Sequence, residues 1–437
     1  MKISAPQALR DYDPEKIVVL ITGLRSFEEI AEQLRGRGVL NYYSVLCMEA
    51  RHRLELGIKD TPDRRREFFE KCRNMPLMEN RIVLITTNDG AGHGKNIVKA
   101  LMKRNEPVDV VWFVQDAAAP VPKGARAVPY RDYRSYYQNL MTAKIWLADT
   151  GVPTSLKKEG QIYIQMKHWA SVTLKMFGYD EMNYRGEEDT GKFGMHGLDF
   201  MEYVLVGSEF DERTCRSGFR FDGEAVYVGS PRSDTLFHTE NDFKELRSSY
   251  ELSAEEHYLL FAPTYRIVEK GSVETKYSND LDFDKIWNAL QDRFGGEWRI
   301  LLRFHPFVAA LSKDISYPEY VTDVSDYYDS EELVAVSDIM ITDYSSIMFE
   351  PAFVGKPVFL LATDRKEYLS NERGFLIDYN TLPFPVAETN EQLACNILNF
   401  NIQKYERDVK AFLDKYGVHE DGHASERAAD FLVGLLG

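Results

Sequence analysis

Cysteine is scarce. Only four occur in 437 residues, Cys47, Cys72, Cys215 and Cys395, and no two share a paired spacing. Neither a thiolate zinc site nor a disulfide framework is expected, and a reducing, cytoplasmic setting fits. Long hydrophobic runs are missing too: stretches such as "IVVLIT" fall far short of the ~20 apolar residues that a membrane-spanning helix needs. The opening "MKISAPQALRDYDPEK" is polar, with no apolar run behind a basic start, so no secretory leader is expected. Basic excess is also lacking. Lys and Arg number 53 against 69 Asp and Glu, a formal net charge of -16, which leaves no surplus to neutralise a nucleic-acid backbone. No Gly-x-Ser-x-Gly elbow is present, so an α/β-hydrolase is not expected. His93, His196, His238, His257, His419 and His423 share no metal-ligand spacing with a nearby carboxylate or Cys.

What is present is a soluble, globular composition in a chain too long for one ordinary core, which suits two or three domains. Short β-branched runs begin near Lys16, Arg81, Val108, Ala143, Gln161, Tyr203, Ala225, Tyr258, Arg299, Asp338 and Pro357, with helical stretches between them. They are nearly continuous rather than alternating, the mark of strands buried on both faces of a parallel sheet. Doubly wound α/β domains are therefore predicted. The polar stretch at residues 230–245, carrying Pro231, divides the strands into two groups and is expected to be a linker. The expected organisation is a small α/β extension over residues 1–79, one domain over 80–235 and a second over 236–437, whose last helical stretch has an apolar face suited to packing back on an earlier domain. The segment 50–74 is rich in Arg and Lys but interleaved with acidic residues, so it reads as a solvated helix rather than a membrane-binding face.

In open α/β sheets ligands bind beyond the carboxyl ends of the strands, so the residues after each strand matter most. Three ends in the second half carry polar donors: "APTYR" with Pro263, Thr264 and Arg266; "RFHP" with Arg303 and His305; and "TDYSS" with Asp343, Tyr344, Ser345 and Ser346. Arginine, imidazole and hydroxyl groups converging there suit a pyrophosphate. A Ser-Ser pair at a strand-to-helix turn can grip an anion at a helix N-terminus or simply cap the helix. In the first half, "NDGAGHGKN" follows a strand and lets a ligand approach its backbone, but it is neither a Walker loop nor a dinucleotide fingerprint. "QIYIQMKHWAS" sets His168 just past a strand end, with Trp169 expected to wall the site against water. Asp282 and Asp284 in "DFD", and the acidic stretch from Asp323, read as capped first turns of helices rather than metal ligands.

In order and spacing, "GKN" at residues 94–96, "AKIWLAD", "QIYIQMKH", "VGSPRSD", "FAPTYR", "LLRFHPFV", "VSDIMITDYSSIMFE", "GKPVFL" and "RGFLIDY" resemble the CDP-glycerol glycerophosphotransferase family of teichoic-acid polymerases and primases, from about Arg81 to about Leu393. The resemblance implies a GT-B fold, two Rossmann-like domains facing a cleft, with acceptor and base on the first and donor on the second. It implies transfer of glycerol or ribitol phosphate from a CDP-alditol to a hydroxyl of a polymer or lipid-linked acceptor, with release of CMP. No cofactor or metal is implied, and the cytoplasmic side of the membrane is the implied location, with peripheral contact and homo-oligomers left open. His168 takes the place of the family's proposed general base. His305 and Arg303 match its pyrophosphate-contacting Arg-x-His-Pro, and Ser345 with Ser346 match its phosphate grip. Thr264 and Arg266 join that donor set. Asp343, Tyr344, Pro263, Arg232, Gly94 and Asn96 are further candidates for contact with donor or acceptor. The chain departs from the pattern after His168, where Trp-Ala replaces Gly-Thr, and at Glu350, where Asp is usual. Two other classes stay in view: a GT-B glycosyltransferase using a nucleotide sugar for surface polysaccharide, and a nucleotide-binding scaffold without turnover.

Overall fold

The apolar runs become strands stacked into two parallel sheets, each buried on both faces. The computed structural model describes residues 19–21, 27–39, 42–44, 62–104, 106–186, 200–237, 240–267, 275–276, 281–305, 316–327 and 329–436. Cys47, residues 50–61, His196, His238 and Pro306, named above, lie outside the described residues. A parallel pair, β1 (Val19–Ile21) and β2 (Tyr42–Ser44), flanks the helix Phe27–Arg35. The helix Pro62–Arg73 sets Phe68 and Phe69 edge-on against Tyr133 and Tyr137.

The first sheet comprises β3 (Met78–Ile85), β4 (Asp109–Val114), β5 (Ala125–Pro129), β6 (Ala143–Ala148), β7 (Ile162–Gln165), β8 (Tyr203–Val206) and β9 (Glu224–Tyr227), in the order β5-β4-β3-β6-β7-β8-β9. All its pairs are parallel, so the order reverses between β3 and β6. The second sheet takes β10 (His257–Phe261), then, after the short antiparallel pair β11 (Arg266–Ile267) and β12 (Thr275–Lys276), β13 (Trp298–Leu302), β14 (Val321–Asp323), β15 (Ile339–Thr342), β16 (Val358–Leu361) and β17 (Val386–Ala387). Its order is β14-β13-β10-β15-β16-β17, again parallel, with the reversal between β10 and β15. Two doubly wound sheets whose carboxyl ends meet form the GT-B arrangement. Ligand crevices in such sheets lie at these reversal points.

Residues 230–245 separate the sheets, but their first part is buried. Pro231–Phe237 forms a 3-10 turn in which Ser230 and Ser233 bond each other at 2.8 Å, out of solvent. Asn96 donates from Nδ2 to the Pro231 carbonyl (2.8 Å) and to Thr235 Oγ1 (3.0 Å). Asp234 accepts from the Ala424 and Ser425 N–H groups at 3.1 and 2.7 Å, capping the last helix, Ala424–Leu436. That helix crosses back to the first domain, where Ala428, Ala429 and Leu432 join Ile82, Ile97, Leu101 and Trp112 in one core cluster. Among the described residues no helix is long and apolar enough to cross a membrane.

Gly94 has a packing role. A Cβ there would lie 2.7 Å from Leu84 Cδ2 and 2.9 Å from Trp112 Cη2, so the helix Gly92–Met102 can approach the sheet only because this position has no side chain. This corrects the expectation that Gly94 opens the backbone to a ligand. Gly94→Ala is expected to cost about 1–3 kcal/mol by overpacking, read as a lowered denaturation midpoint; an unchanged midpoint would refute this account of the position.

Candidate active site

His168 leaves the end of β7 on a tightly determined loop. Lys167 has φ of 57°, a left-handed conformation that a side-chain-bearing residue adopts only when its surroundings impose it. Its ammonium meets Asp211 Oδ2 at 2.6 Å, with both side chains 1% exposed. Asp211 also accepts from Gly207 N at 3.0 Å and Trp169 Nε1 at 3.2 Å. Trp169 therefore points into the first-domain core, packed on Phe177 and Phe219, and does not wall the site as the sequence suggested. The loop's carbonyls are held as well. Arg232 Nη1 donates to the His168 carbonyl, and His93 Nε2 donates to the Trp169 carbonyl at 2.9 Å while its Nδ1 accepts from Arg232 N at 3.3 Å.

The His168 ring keeps an exposed edge although protein surrounds it densely. Burial lowers its pKa to about 4, helped by the positive charges of Arg232, Arg373 and Lys175 and opposed by a backbone hydrogen bond to Asp149. At neutral pH the imidazole is uncharged. An uncharged imidazole has a ring nitrogen able to accept a proton, the state a general base requires. Asp149 directly follows β6, beside the β3/β6 reversal. Burial raises its carboxyl to about 7, opposed by the Thr87 N–H at 2.7 Å and hydroxyl at 3.0 Å, and by the charge of Arg232. Asp149 was not among the sequence candidates; its signal was the acid closing "AKIWLAD" at a strand end.

From the second domain, β13 delivers Arg303 and His305. His305 packs against the Tyr265 ring, and burial lowers its pKa to about 4, with Lys175 and Arg303 acting in the same direction. Arg303 Nη1 donates to the Tyr327 carbonyl at 2.6 Å. Ser345 caps the turn Ser346–Met348, its hydroxyl accepting from Ile347 N at 3.5 Å. That turn leads into a helix of only five residues, Phe349–Phe353, so a full helix N-terminus is not available there. Ser346 Oγ faces the other domain, 2.9 Å from Thr173 Oγ1 and accepting from Leu174 N at 3.0 Å.

Several candidates are engaged internally. Arg266 bonds Asp364 through Nε and Nη2 (2.7 and 3.0 Å) and Asp343 through Nη2 (2.9 Å), and Thr264 donates from N and Oγ1 to Asp343 Oδ1 at 2.9 and 2.6 Å. These residues tie the ends of β10, β15 and β16 together, so the expectation that Arg266 and Thr264 grip phosphate is corrected. Tyr344 is fully buried, its hydroxyl on Asp364 at 2.9 Å, and Pro263 is buried as well, so neither meets a ligand. Arg232 and Asn96 are likewise structural. Arg232 Nη2 pairs with Glu331 and lies 3.3 Å from Glu350 Oε1, while Lys95 meets Asp329 at 2.6 Å and Glu332, so the domain junction beneath His168 is ionic. Burial raises the Glu350 carboxyl, opposed by Arg232. Asp282 and Asp329 cap the helices Phe283–Phe294 and Ser330–Val336, as the acidic stretches predicted.

The profile of the family described as CDP-Glycerol:Poly(glycerophosphate) glycerophosphotransferase matches residues 67–434. A teichoic acid poly(glycerol phosphate) polymerase of Staphylococcus epidermidis is 29% identical over 353 residues, covering 77% of this chain and 48% of that protein. A teichoic acid poly(ribitol-phosphate) polymerase of Bacillus spizizenii is 28% identical over 382 residues, covering 84% of this chain and 58% of that protein. The chain thus spans about half the length of these curated relatives. Among solved structures, the wall teichoic acid polymerase TagF superposes with a TM-score of 0.73 at 26% identity, over 86% of this chain and 94% of that one.

Proposed function

The chain belongs to the CDP-glycerol:poly(glycerophosphate) glycerophosphotransferase family, and from that premise we propose that it transfers an alditol phosphate, glycerol or ribitol phosphate, from a CDP-alditol to a hydroxyl of a teichoic-acid-type polymer or its lipid-linked precursor, releasing CMP. The observation that supports the reading is a pair of neutral histidines, His168 from the first domain and His305 from the second, each within electrostatic reach of Lys175. His168 takes the proton of the acceptor hydroxyl as its oxygen attacks the distal phosphorus, a contribution of about 10²- to 10⁴-fold for a positioned base. His305 and Arg303 meet the diphosphate on the donor side. A bound diphosphate raises the proton affinity of His305, which burial and the neighbouring cations depress. Catalysis then rests on positioning and electrostatics, as phosphoryl transfer generally does. A lipid-linked acceptor would bring the enzyme to the cytoplasmic membrane surface.

Ligand-dependent stability tests the donor class, because a ligand that binds the native state raises the midpoint of unfolding. CDP-glycerol, CDP-ribitol and CMP are expected to stabilise the protein, and UDP-glucose and GDP-mannose to leave it unchanged. Stabilisation by a sugar nucleotide alone would replace this reading with a glycosyltransferase.

A further inference from the structure

Most cations lining the domain junction are neutralised within the fold: Arg232, Arg266, Lys95 and Lys167 each meet a carboxylate. Three are not. Arg303 meets only the Tyr327 carbonyl. Among the described residues, half-buried Lys175 of the first domain and exposed Arg373 of the second make no ion pair or side-chain hydrogen bond, and the Lys175 ammonium lies over the face of Tyr368, 5.5 Å from the ring centre.

Their positions are fixed by a short strand pairing between the domains. Lys175 pairs antiparallel with Phe375, and Met176 N donates to the Gly374 carbonyl (2.9 Å) while Leu376 N donates to the Leu174 carbonyl (2.8 Å). Glu181 accepts from Gly374 N at 3.1 Å, and Ser346 holds Thr173 and Leu174 from the other side. Gly374 permits the approach, since a Cβ there would lie 2.8 Å from Met176 Sδ. Lys175 is therefore a first-domain residue carried on a fixed backbone toward the donor half. It lies within electrostatic reach of both histidines, and Arg373 within reach of His168 and of Lys175 itself.

A partly desolvated ammonium without a counter-ion is unfavourable unless the fold keeps its place for an anion. We propose that Lys175, with Arg373, holds the phosphoryl group during transfer, so that each domain contributes one cation to the reacting centre. The acceptor oxygen forms the new bond to phosphorus, the bond from that phosphorus to the bridging oxygen breaks, CMP departs with the electron pair, and the acceptor proton passes to His168. Lys175 and Arg373 meet the charge on the non-bridging oxygens. The identity of that phosphoryl group rests on the alditol-phosphate reading.

The proposal has a pH signature. Burial brings the Lys175 ammonium down to about 8, with Arg373 and Arg266 acting in the same direction and Asp343 and Glu372 against it; His168, His305 and Tyr368 are its other ionisable neighbours. The charged form is present below that pKa and lost above it. The alkaline limb of kcat/KM, which reports the free enzyme, should therefore fall near pH 8.

Lys175→Met and Lys175→Arg test this by steady-state CMP release and by thermal stabilisation with inorganic pyrophosphate. Lys175→Met is expected to lower kcat/KM by about 10²- to 10³-fold, to weaken pyrophosphate binding by about tenfold or more, and to keep the wild-type melting midpoint. Lys175→Arg is expected to retain activity at neutral pH and to move the alkaline limb upward, because its guanidinium does not titrate there. Near-wild-type turnover and pyrophosphate binding in Lys175→Met, or an unmoved limb in Lys175→Arg, would overturn the proposal. Should wild-type protein turn over no CDP-alditol, the functional reading falls, and the pyrophosphate comparison alone decides on Lys175.

Discussion

Replacing His168 by alanine is expected to lower kcat for alditol-phosphate transfer by about 10²- to 10⁴-fold, the contribution of a positioned general base, while binding of CMP and of the CDP-alditol stays within a few-fold of wild type. Two features support so large an effect. The ring is uncharged at neutral pH because burial and three neighbouring cations hold its pKa near 4. Its backbone is held through Lys167, Arg232 and His93, so the imidazole does not need to be ordered when substrate binds. Because the folded pKa lies below the ordinary imidazole value, the free-base form dominates above about pH 5. No acid limb assignable to His168 should therefore appear between pH 5 and 8. Burst and steady-state CMP release, with donor affinity measured separately, check the split. Full turnover in His168→Ala would remove the base assignment.

The second large effect is on stability. Asp211→Ala is expected to cost about 3–5 kcal/mol, because it leaves the Lys167 ammonium buried without a partner. It also frees the buried Trp169 indole N–H and the partly buried Gly207 N–H, two donors that lose an acceptor. Activity should fall beyond what the lost stability explains, since the strained Lys167 peptide is what presents His168. Denaturant titration at neutral pH measures the first part, and kcat on the fraction that remains folded measures the second. A loss under about 1 kcal/mol, well below the usual cost of breaking a buried pair, would show that Lys167 finds another partner or leaves the core.

Much of the architecture was legible because strands buried on both faces must be nearly all apolar. The strands that escaped notice are marginal ones: β5, β11, β12, β14 and β17 are short or only partly buried, so their residues carry no continuous apolar run. The site was legible at the level of which strand ends carry polar groups, and not at the level of what those groups meet. Arg266 and Thr264 read as phosphate donors because their carboxylate partners, Asp343 and Asp364, lie 77 to 98 residues further along the chain. Trp169 read as a wall of the site because beyond the end of a strand no periodicity sets the direction of a side chain; the tie to Asp211 sets it. Lys175 and Arg373 passed unnoticed for the opposite reason. Their significance lies in having no counter-ion, a property that only the folded arrangement displays. Glu350 marks a departure from the usual Asp, and the structure gives it a place beside Arg232, at the base of the loop that carries His168.

The central claim is tested most directly by incubating purified protein with CDP-glycerol or CDP-ribitol and a teichoic-acid-type acceptor, and following CMP together with the acceptor's gain in mass. The account predicts CMP released one for one with alditol phosphate added to the acceptor, with one alditol preferred. Absence of CMP release from either donor, alongside transfer from a nucleotide sugar to the same acceptor, would contradict it.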